Sequence, residues 1–371
     1  MTPSFANASA IAGFRLQRHH LQDAEGADAV TICRDVCGAQ AQMMQAAYLQ
    51  LWARNHDLTH AEIEDALWTR RTLVKSLFMR QTLHLIPADE FPLYIAAVRS
   101  SRVAAVLRVM SRLKIDREEA DAFTHVILDC LASGPRARAA INAAVRPKVS
   151  RRVREWMDRV SSSVRLAVVE GLVCHAPGGG TEATFVRVDQ WLPKQKPIPE
   201  QEARRRLFLK YLRAYGPATI HDFAHWSGIP VTAARPLGAH LKQELAEIKI
   251  ENQNRLLVPD DLELLKNHLL EPRSVRLLPH FDPYLLAHRE KDHLLAAEHY
   301  KRVYRNQGWI SPVVMIDGRV AGTWSHRVQG SKLEIKIDSF SRLSAHARKA
   351  VKQEAGSLAD FYGCKMEFTI T

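Results

Sequence analysis

The sequence lacks paired cysteines, membrane-length apolar runs and a basic leader. Its five cysteines, Cys33, Cys37, Cys130, Cys174 and Cys364, are scattered, and none stands in a C-x-x-C pair. They read as reduced thiols of a cytosolic chain. Cys33 and Cys37 are one helical turn apart and fit a core better than a metal, because no neighbouring His or Cys completes a site. No apolar stretch reaches the ~20 residues of a membrane span. Residues 1–12 are small and polar, without the basic region and apolar core of a signal peptide, so a cytoplasmic location is expected. Acidic residues are the scarcer charge. There are 52 Lys+Arg against 40 Asp+Glu, a formal net charge of +12 and an isoelectric point near 9.6. That balance suits a polyanion such as nucleic acid and also an ordinary basic protein. Arginine outnumbers lysine, which favours forked contacts to phosphate.

With 371 residues, 46% of them hydrophobic, the chain can build two to four packed modules. Helical periodicity runs from Ala24 to Cys37 and from Met43 to Arg54, with a third helix over Ala61–Trp68. The segment Gln81 to Pro87 alternates and reads as a strand. Helices followed by strands is the order of a winged helix. Two later stretches repeat it. Each ends a helix at Gly-Pro (Gly134-Pro135, Gly216-Pro217) and begins another. The first continues through a helix over Val153–Glu170 to a hairpin of 172–175 with 183–188. The second runs through a helix over Ala233–Leu245 to a hairpin of 248–250 with 256–258. Gly-Pro is common punctuation, but two matching units favour a repeat. A Pro-rich linker, Leu192–Pro199, separates them. From Pro272 short strands take over. The Asp317-Gly318 dipeptide marks a hairpin, and Ser344–Tyr362 a helix before a last strand, Lys365–Ile370. The expected fold is mainly α with β wings: three tandem winged-helix units (1–95, 96–192, 193–271) plus a C-terminal α+β domain (272–371).

Gln40 and Gln42 stand in the run Cys37-Gly38-Ala39-Gln40-Ala41-Gln42, between two helical patterns. On a continuous helix they would point about 200° apart. In an extended segment they project to one side, so they converge only if the segment is a turn or a helix entry. Two convergent amides can hold one water or one base edge, since each offers an acceptor and two donors. On spacing alone the plainer reading is two surface glutamines. The histidines form no convincing metal set. His19 and His20 are adjacent and point apart, His56 and His60 flank a loop and helix cap, and His293 and His299 are solitary. Asp282, before Pro283, suits a turn or cap better than catalysis. Arg151, Arg152, Arg154 and Arg159 suit either a phosphate track or a solvated helix face. Arg319, His326 and Arg327 lie on or beside the Asp317-Gly318 hairpin, a shape able to enter a minor groove.

The Gly-x-Gln-Ala-Gln run, the segment Arg80-Gln81-Thr82-Leu83-His84, the stretch Leu278 to Arg289 and the hairpin Asp317 to Trp324 together resemble the AlkZ/YcaQ family of bacterial winged-helix DNA glycosylases. The similarity spans nearly the whole chain and rests on the order and spacing of these segments. The Gln-Ala-Gln form resembles the AlkZ-like branch, linked to alkylated bases and interstrand crosslinks; the YcaQ branch carries Asp at the second position. The resemblance implies that Gln40 and Gln42 position the water that attacks C1′ of the lesion nucleoside. It also implies that the three winged helices are arranged around a concave basic surface, with a β-rich C-terminal domain. Arg80 and His84 are candidate DNA contacts beside the basic residues above. The chemistry is consistent. Glutamine does not ionise, and a purine alkylated at N7 or N3 leaves as a neutral base, so water positioning and electrostatic support suffice. The expectation is a monomeric, nucleoid-associated glycosylase acting on double-stranded DNA, with no metal, cofactor or obligate protein partner. The alternative is a non-enzymatic winged-helix regulator. An RNA-directed or structural chromosome protein is less favoured, for want of a basic disordered arm.

Overall fold

The structure, a computed structural model, describes residues 8–160, 163–178, 182–250, 253–267 and 274–371. Contacts group the chain into two units, one drawn from 1–64, 208–226 and 231–371, the other from 65–207 and 227–230. Among the described residues no helix is long and apolar enough to cross a membrane.

The first unit is built on a five-stranded sheet in the order Lys365–Ile370, Lys332–Ser339, Arg319–Gln329, Val313–Ile316, Val275–Leu278. Neighbours run antiparallel except the first pair, which is parallel. A parallel pair needs a crossover, and the Ala345–Phe361 helix supplies it. Ser344 caps this helix, its Oγ accepting from Ala347 N at 3.1 Å. Asp317 (φ 50°) and Gly318 (φ 78°) both take positive φ, as the twisted two-residue hairpin turn requires. Alternation on Lys332–Ser339 turns Leu333, Ile335 and Ile337 inward, where they join Val351 and Leu358 of the crossover helix. Leu16, from the Ala8–Arg18 helix, and Leu49 and Trp52, from the Met44–Trp52 helix, fill the same core. Each such side chain contributes about 1.5–3 kcal/mol by burial, so the Met44–Trp52 helix that follows the glutamine segment is anchored in this core.

The second unit packs the Phe91–Ser111, Arg117–Cys130, Arg138–Val145 and Arg151–Arg159 helices around one core with Trp156, Phe123 and Ile127. Two hairpins accompany them, Leu73–Leu77 with Leu83–Pro87 and Val173–Ala176 with Thr184–Arg187. A further antiparallel pair, Ala246–Ile250 with Gln253–Leu257, belongs to the first unit. Between the strands of the first hairpin, Arg80 (φ 52°) and Gln81 (φ 61°) adopt left-handed backbone, a strain of about 1–2 kcal/mol per non-glycine residue.

Several expected elements are shorter or less regular than the periodicity suggests. The first is helical only over Ala29–Asp35, because Ala24 and Gly26 take positive φ and Asp28 caps the start, accepting from Thr31 N. The third is helical over its whole expected length, but it is α-helical only over His60–Glu64 and widens into a π turn over Asp65–Thr69. The expected Val153–Glu170 helix is two pieces, Arg151–Arg159 and Arg165–Val169, with Val160 extended between them. Ser163, the described residue at the break, donates its hydroxyl to Asn142 Oδ1 at 2.5 Å, and serine favours caps and turns over helix interiors. Residues 161–162, like the turns at 179–181 and 251–252, lie outside the described residues.

Candidate active site

The glutamine segment is extended at Ala39–Gln40 and then enters a helix, so it is not one continuous helix. The Ala29–Asp35 helix closes at Gly38, whose φ is 100° and whose N donates to Cys33 O at 2.7 Å. Tyr215 Oη anchors the same end by donating to Val36 O at 2.5 Å. Ala39–Gln40 is then extended, Gln42 and Met43 bend, and the Met44–Trp52 helix begins. Its N-cap residue, Met43, makes no side-chain capping bond. The first-turn N–H groups and the positive end of the helix dipole therefore lie directly after Gln42. Gln40 is buried, with 5% exposure, and Gln42 is exposed. One amide is held inside the fold and the other faces solvent.

Beneath the segment lies a buried polar network. Gln50 is 1% exposed, and its Nε2 donates to Gln40 O at 3.0 Å and to His280 O at 3.2 Å. Both amide hydrogens are thereby used to tie the glutamine segment to the stretch after Val275–Leu278, while Gln50 Oε1 is buried without a partner. One turn on, Arg54 donates to Gln50 O at 2.8 Å and forks onto Asp282, with contacts of 2.8 and 2.9 Å. Asp282, fully buried, also caps the Pro283–Leu286 helix by accepting from Tyr284 N. The reading of Asp282 as a cap is thus met, and both its oxygens are occupied. His19 sits against Arg54 at 3.3 Å, and burial together with that cation pushes its pKa well below the usual imidazole range.

His280 is half-buried. Its Nδ1 lies 2.7 Å from Ile310 O, an arrangement in which it donates and leaves Nε2 as an acceptor. Burial lowers its pKa. Trp309, 40% exposed, stands edge-on to both His280 and Phe281, with centroids 5.2 and 5.1 Å away. His326 Nε2 lies 2.9 Å from Tyr362 Oη, and burial lowers the pKa of the imidazole and lifts the phenol to about 12.

The other basic candidates are dispersed. Arg319 is exposed and faces two backbone carbonyls, His293 O at 3.2 Å and Asp292 O at 3.4 Å. The Asp317-Gly318 tip is not a free wedge. Gly318 is buried, a Cβ there would stand 2.9 Å from Ala12 Cβ, and Asp317 exchanges hydrogen bonds with Ser274. The projecting end of Arg319–Gln329 is the opposite one, where Arg327, Val328, Gln329, Gly330 and Ser331 are all exposed. In the second unit, Arg151 is exposed, Arg154 is half-buried, and Arg152 donates to Lys114 O at 2.7 Å. His84 is 2% exposed, and burial with the charges of Arg80 and Arg102 holds it neutral. His56 stacks on Trp52 and meets Glu354 at 3.4 Å, while His60 turns to Tyr48. Among the described residues no three His, Cys, Asp or Glu side chains group as metal ligands.

A family model described as "DNA glycosylase AlkZ-like" matches residues 33–361. The chain belongs to the AlkZ-like DNA glycosylase family. It is similar to an interstrand DNA cross-link repair glycosylase of Streptomyces sahachiroi, 28% identical over 363 residues, which are 94% of this chain and 95% of that protein. The solved structure of Streptomyces sahachiroi DNA glycosylase AlkZ matches it with a TM-score of 0.85 at 26% identity, covering 100% of both chains. An AlkZ-like chain is an enzyme, so the regulator reading falls. Within this AlkZ-like fold, sequence reasoning passed over Gln50, His280 and Trp309. Gln50 and Arg54 are four apart on one helix face, which was visible, but a polar pair on that face reads as solvated until its partners are known. Trp309, a large aromatic in a polar stretch, was the available signal for the third.

Proposed function

We propose that the chain is a monofunctional glycosylase that excises cationic alkylated purines, N7 or N3 adducts, from double-stranded DNA by water attack at C1′, and that it unhooks interstrand crosslinks of the same chemistry. The reading rests on one observation above all. Gln40 and Gln42 occupy a short extended segment and helix entry, clamped from beneath by Gln50. Gln50 fixes the backbone of Gln40 through its carbonyl, and an amide on a fixed backbone is suited to orienting a water and unsuited to taking its proton. A cationic purine leaves without protonation, so positioning and electrostatic support are the contributions such a site supplies. The crosslink activity is supported by the name of the Streptomyces relative. A crosslinked base cannot be turned wholly into a snug pocket as a single flipped base can, which suits a site where one glutamine, Gln42, faces solvent and an exposed tryptophan stands nearby.

The reading includes three tandem winged-helix modules, 1–95, 96–192 and 193–271, followed by an α+β module, 272–371. In support, each of the first three contains helices leading to an antiparallel pair. The protein acts as a monomer in the bacterial cytoplasm, at the nucleoid, without metal or cofactor. Arg80, Arg151, Arg152, Arg154 and Arg327 supply phosphate contacts, with Arg319, His84 and His326 shaping the surfaces around them.

The test is a panel of duplexes, each carrying one lesion, treated with purified protein, cleaved at abasic sites and resolved on a gel. Excision of 7-methylguanine is expected, with uracil and 8-oxoguanine left intact, because neutral bases need an acid or a stronger activating group. Robust uracil release overturns the proposed restriction to cationic bases.

A further inference from the structure

Arg102 carries a buried charge that the fold leaves uncompensated. It lies on the Phe91–Ser111 helix with 4% of its surface exposed, and neither Nη1 nor Nη2 has a hydrogen-bond partner among the described residues. A guanidinium taken out of water this completely is normally forked onto a carboxylate or phosphate. The charges that act on it are instead those of Arg80 and Arg165, both positive, and with burial they hold its pKa down at about 9. Arg165 Nη2 donates to Gln81 Oε1 at 2.8 Å, which ties the third guanidinium to the Arg80-Gln81 turn. Arg80 and Arg102 both act on the neutral His84.

The backbone at this point is also unusual. Arg80 and Gln81 are successive left-handed residues. Gly228 (φ 73°) abuts them, and a Cβ there would stand 3.1 Å from Arg80 N and Cα. A cleft of about 400 Å³, walled in part by Val106, Val109 and Trp156, opens at Gln81 and Arg165. Strained turn, close glycine and three like charges converge on one place, a combination that stability alone disfavours.

We propose that Arg80, Arg102 and Arg165 form a seat for one phosphate anion, and that its occupant is a phosphodiester of the DNA backbone. Arg80 and Arg165, both half-buried, meet the anion. Arg102 backs them with a charge that solvent does not screen and with N–H groups that lack protein acceptors. Such a contact fixes the register of the duplex without reading its sequence. The identity of the polyanion rests on the glycosylase reading; the presence of an anion seat rests on the arginines.

The full-length protein and its Arg102→Met and Arg102→Lys variants are compared in thermal melts, with and without inorganic phosphate, and in binding of an undamaged duplex across a salt series. Without anion, Arg102→Met should melt at or above the wild-type temperature, because it removes a buried unpaired charge. Inorganic phosphate should raise the wild-type melting temperature and leave that of Arg102→Met unchanged. Duplex affinity should fall roughly tenfold in Arg102→Met, with the slope of log K on log salt reduced by about one, and Arg102→Lys should fall between. A less stable Arg102→Met that binds duplex with unchanged affinity and slope overturns the seat. Stabilisation of the wild type by inorganic phosphate, with duplex binding indifferent to Arg102, overturns DNA as the occupant. If Arg102→Met fails to fold, Arg165→Gln must show the loss in affinity, and an unchanged affinity sinks the proposal. Absence of 7-methylguanine excision by the wild type is a separate failure and touches only the glycosylase reading.

Discussion

At the scale of the residue, a few buried polar side chains fix where the glutamines stand. Gln50 uses both amide hydrogens on carbonyls of two distant segments, and Arg54 joins Gln50 to an Asp282 that is 228 residues away in sequence. A buried ion pair contributes little net stability when intact, but removing one partner strands the other. Asp282→Asn should therefore destabilise the protein by about 3–5 kcal/mol, read as a lower denaturant midpoint. A midpoint equal to wild type would mean that Arg54 finds compensation elsewhere. The role of Asp282 as a cap was legible, because Asp before Pro is a local signal. The Arg54 fork was not, since nothing local to a helix tells a buried arginine from a solvated one. The same reason hid Arg102, whose meaning comes only from what it fails to touch.

At the scale of the element, local chemistry marked the hairpins well and the helix lengths poorly. The Asp317-Gly318 turn and the crossover helix lie where turn residues and periodicity put them. The outcome that no local pattern revealed is which hairpin end is free. The Asp-Gly tip is packed against Ala12, and the Arg327–Ser331 end projects. The Arg151–Arg159 helix is similar. Its amphipathic pattern, with Val153, Trp156 and Met157 buried, leaves Arg151 outward, and the sequence could not choose between phosphate track and solvated face. If the helix tracks phosphates, Arg151→Ala with Arg152→Ala should flatten the salt dependence of duplex binding by up to about two units of slope, with the melting temperature little changed. Because Arg152 already donates to Lys114 O, its share should be the smaller. An unaltered slope would assign the helix to solvent.

At the scale of the whole molecule, charge bears on stability and, in the proposed reading, on substrate. Four buried histidines, His19, His84, His175 and His288, have pKa values pushed down by burial. His175 is at about 3. Each is neutral when folded and free to protonate at about 6.5 when unfolded. Their stabilising effect is thus complete above that pH and declines as the pH falls toward the folded values, by up to about 1.4 kcal/mol per pH unit and per group. Melting temperature should drop steeply between pH 6.5 and about 4.5; a flat profile over that range would show that the imidazoles protonate within the fold. In the proposed reading, net positive charge draws the chain to DNA, and the choice of base depends on what two amides can and cannot do. The most direct measurement is the single-turnover rate of 7-methylguanine release by wild type and by the Gln40→Ala/Gln42→Ala double variant, with duplex affinity measured alongside. The account predicts a loss of at least ~100-fold in rate, the scale of positioned catalytic groups, with affinity little changed. A double variant that releases 7-methylguanine at the wild-type rate would contradict it.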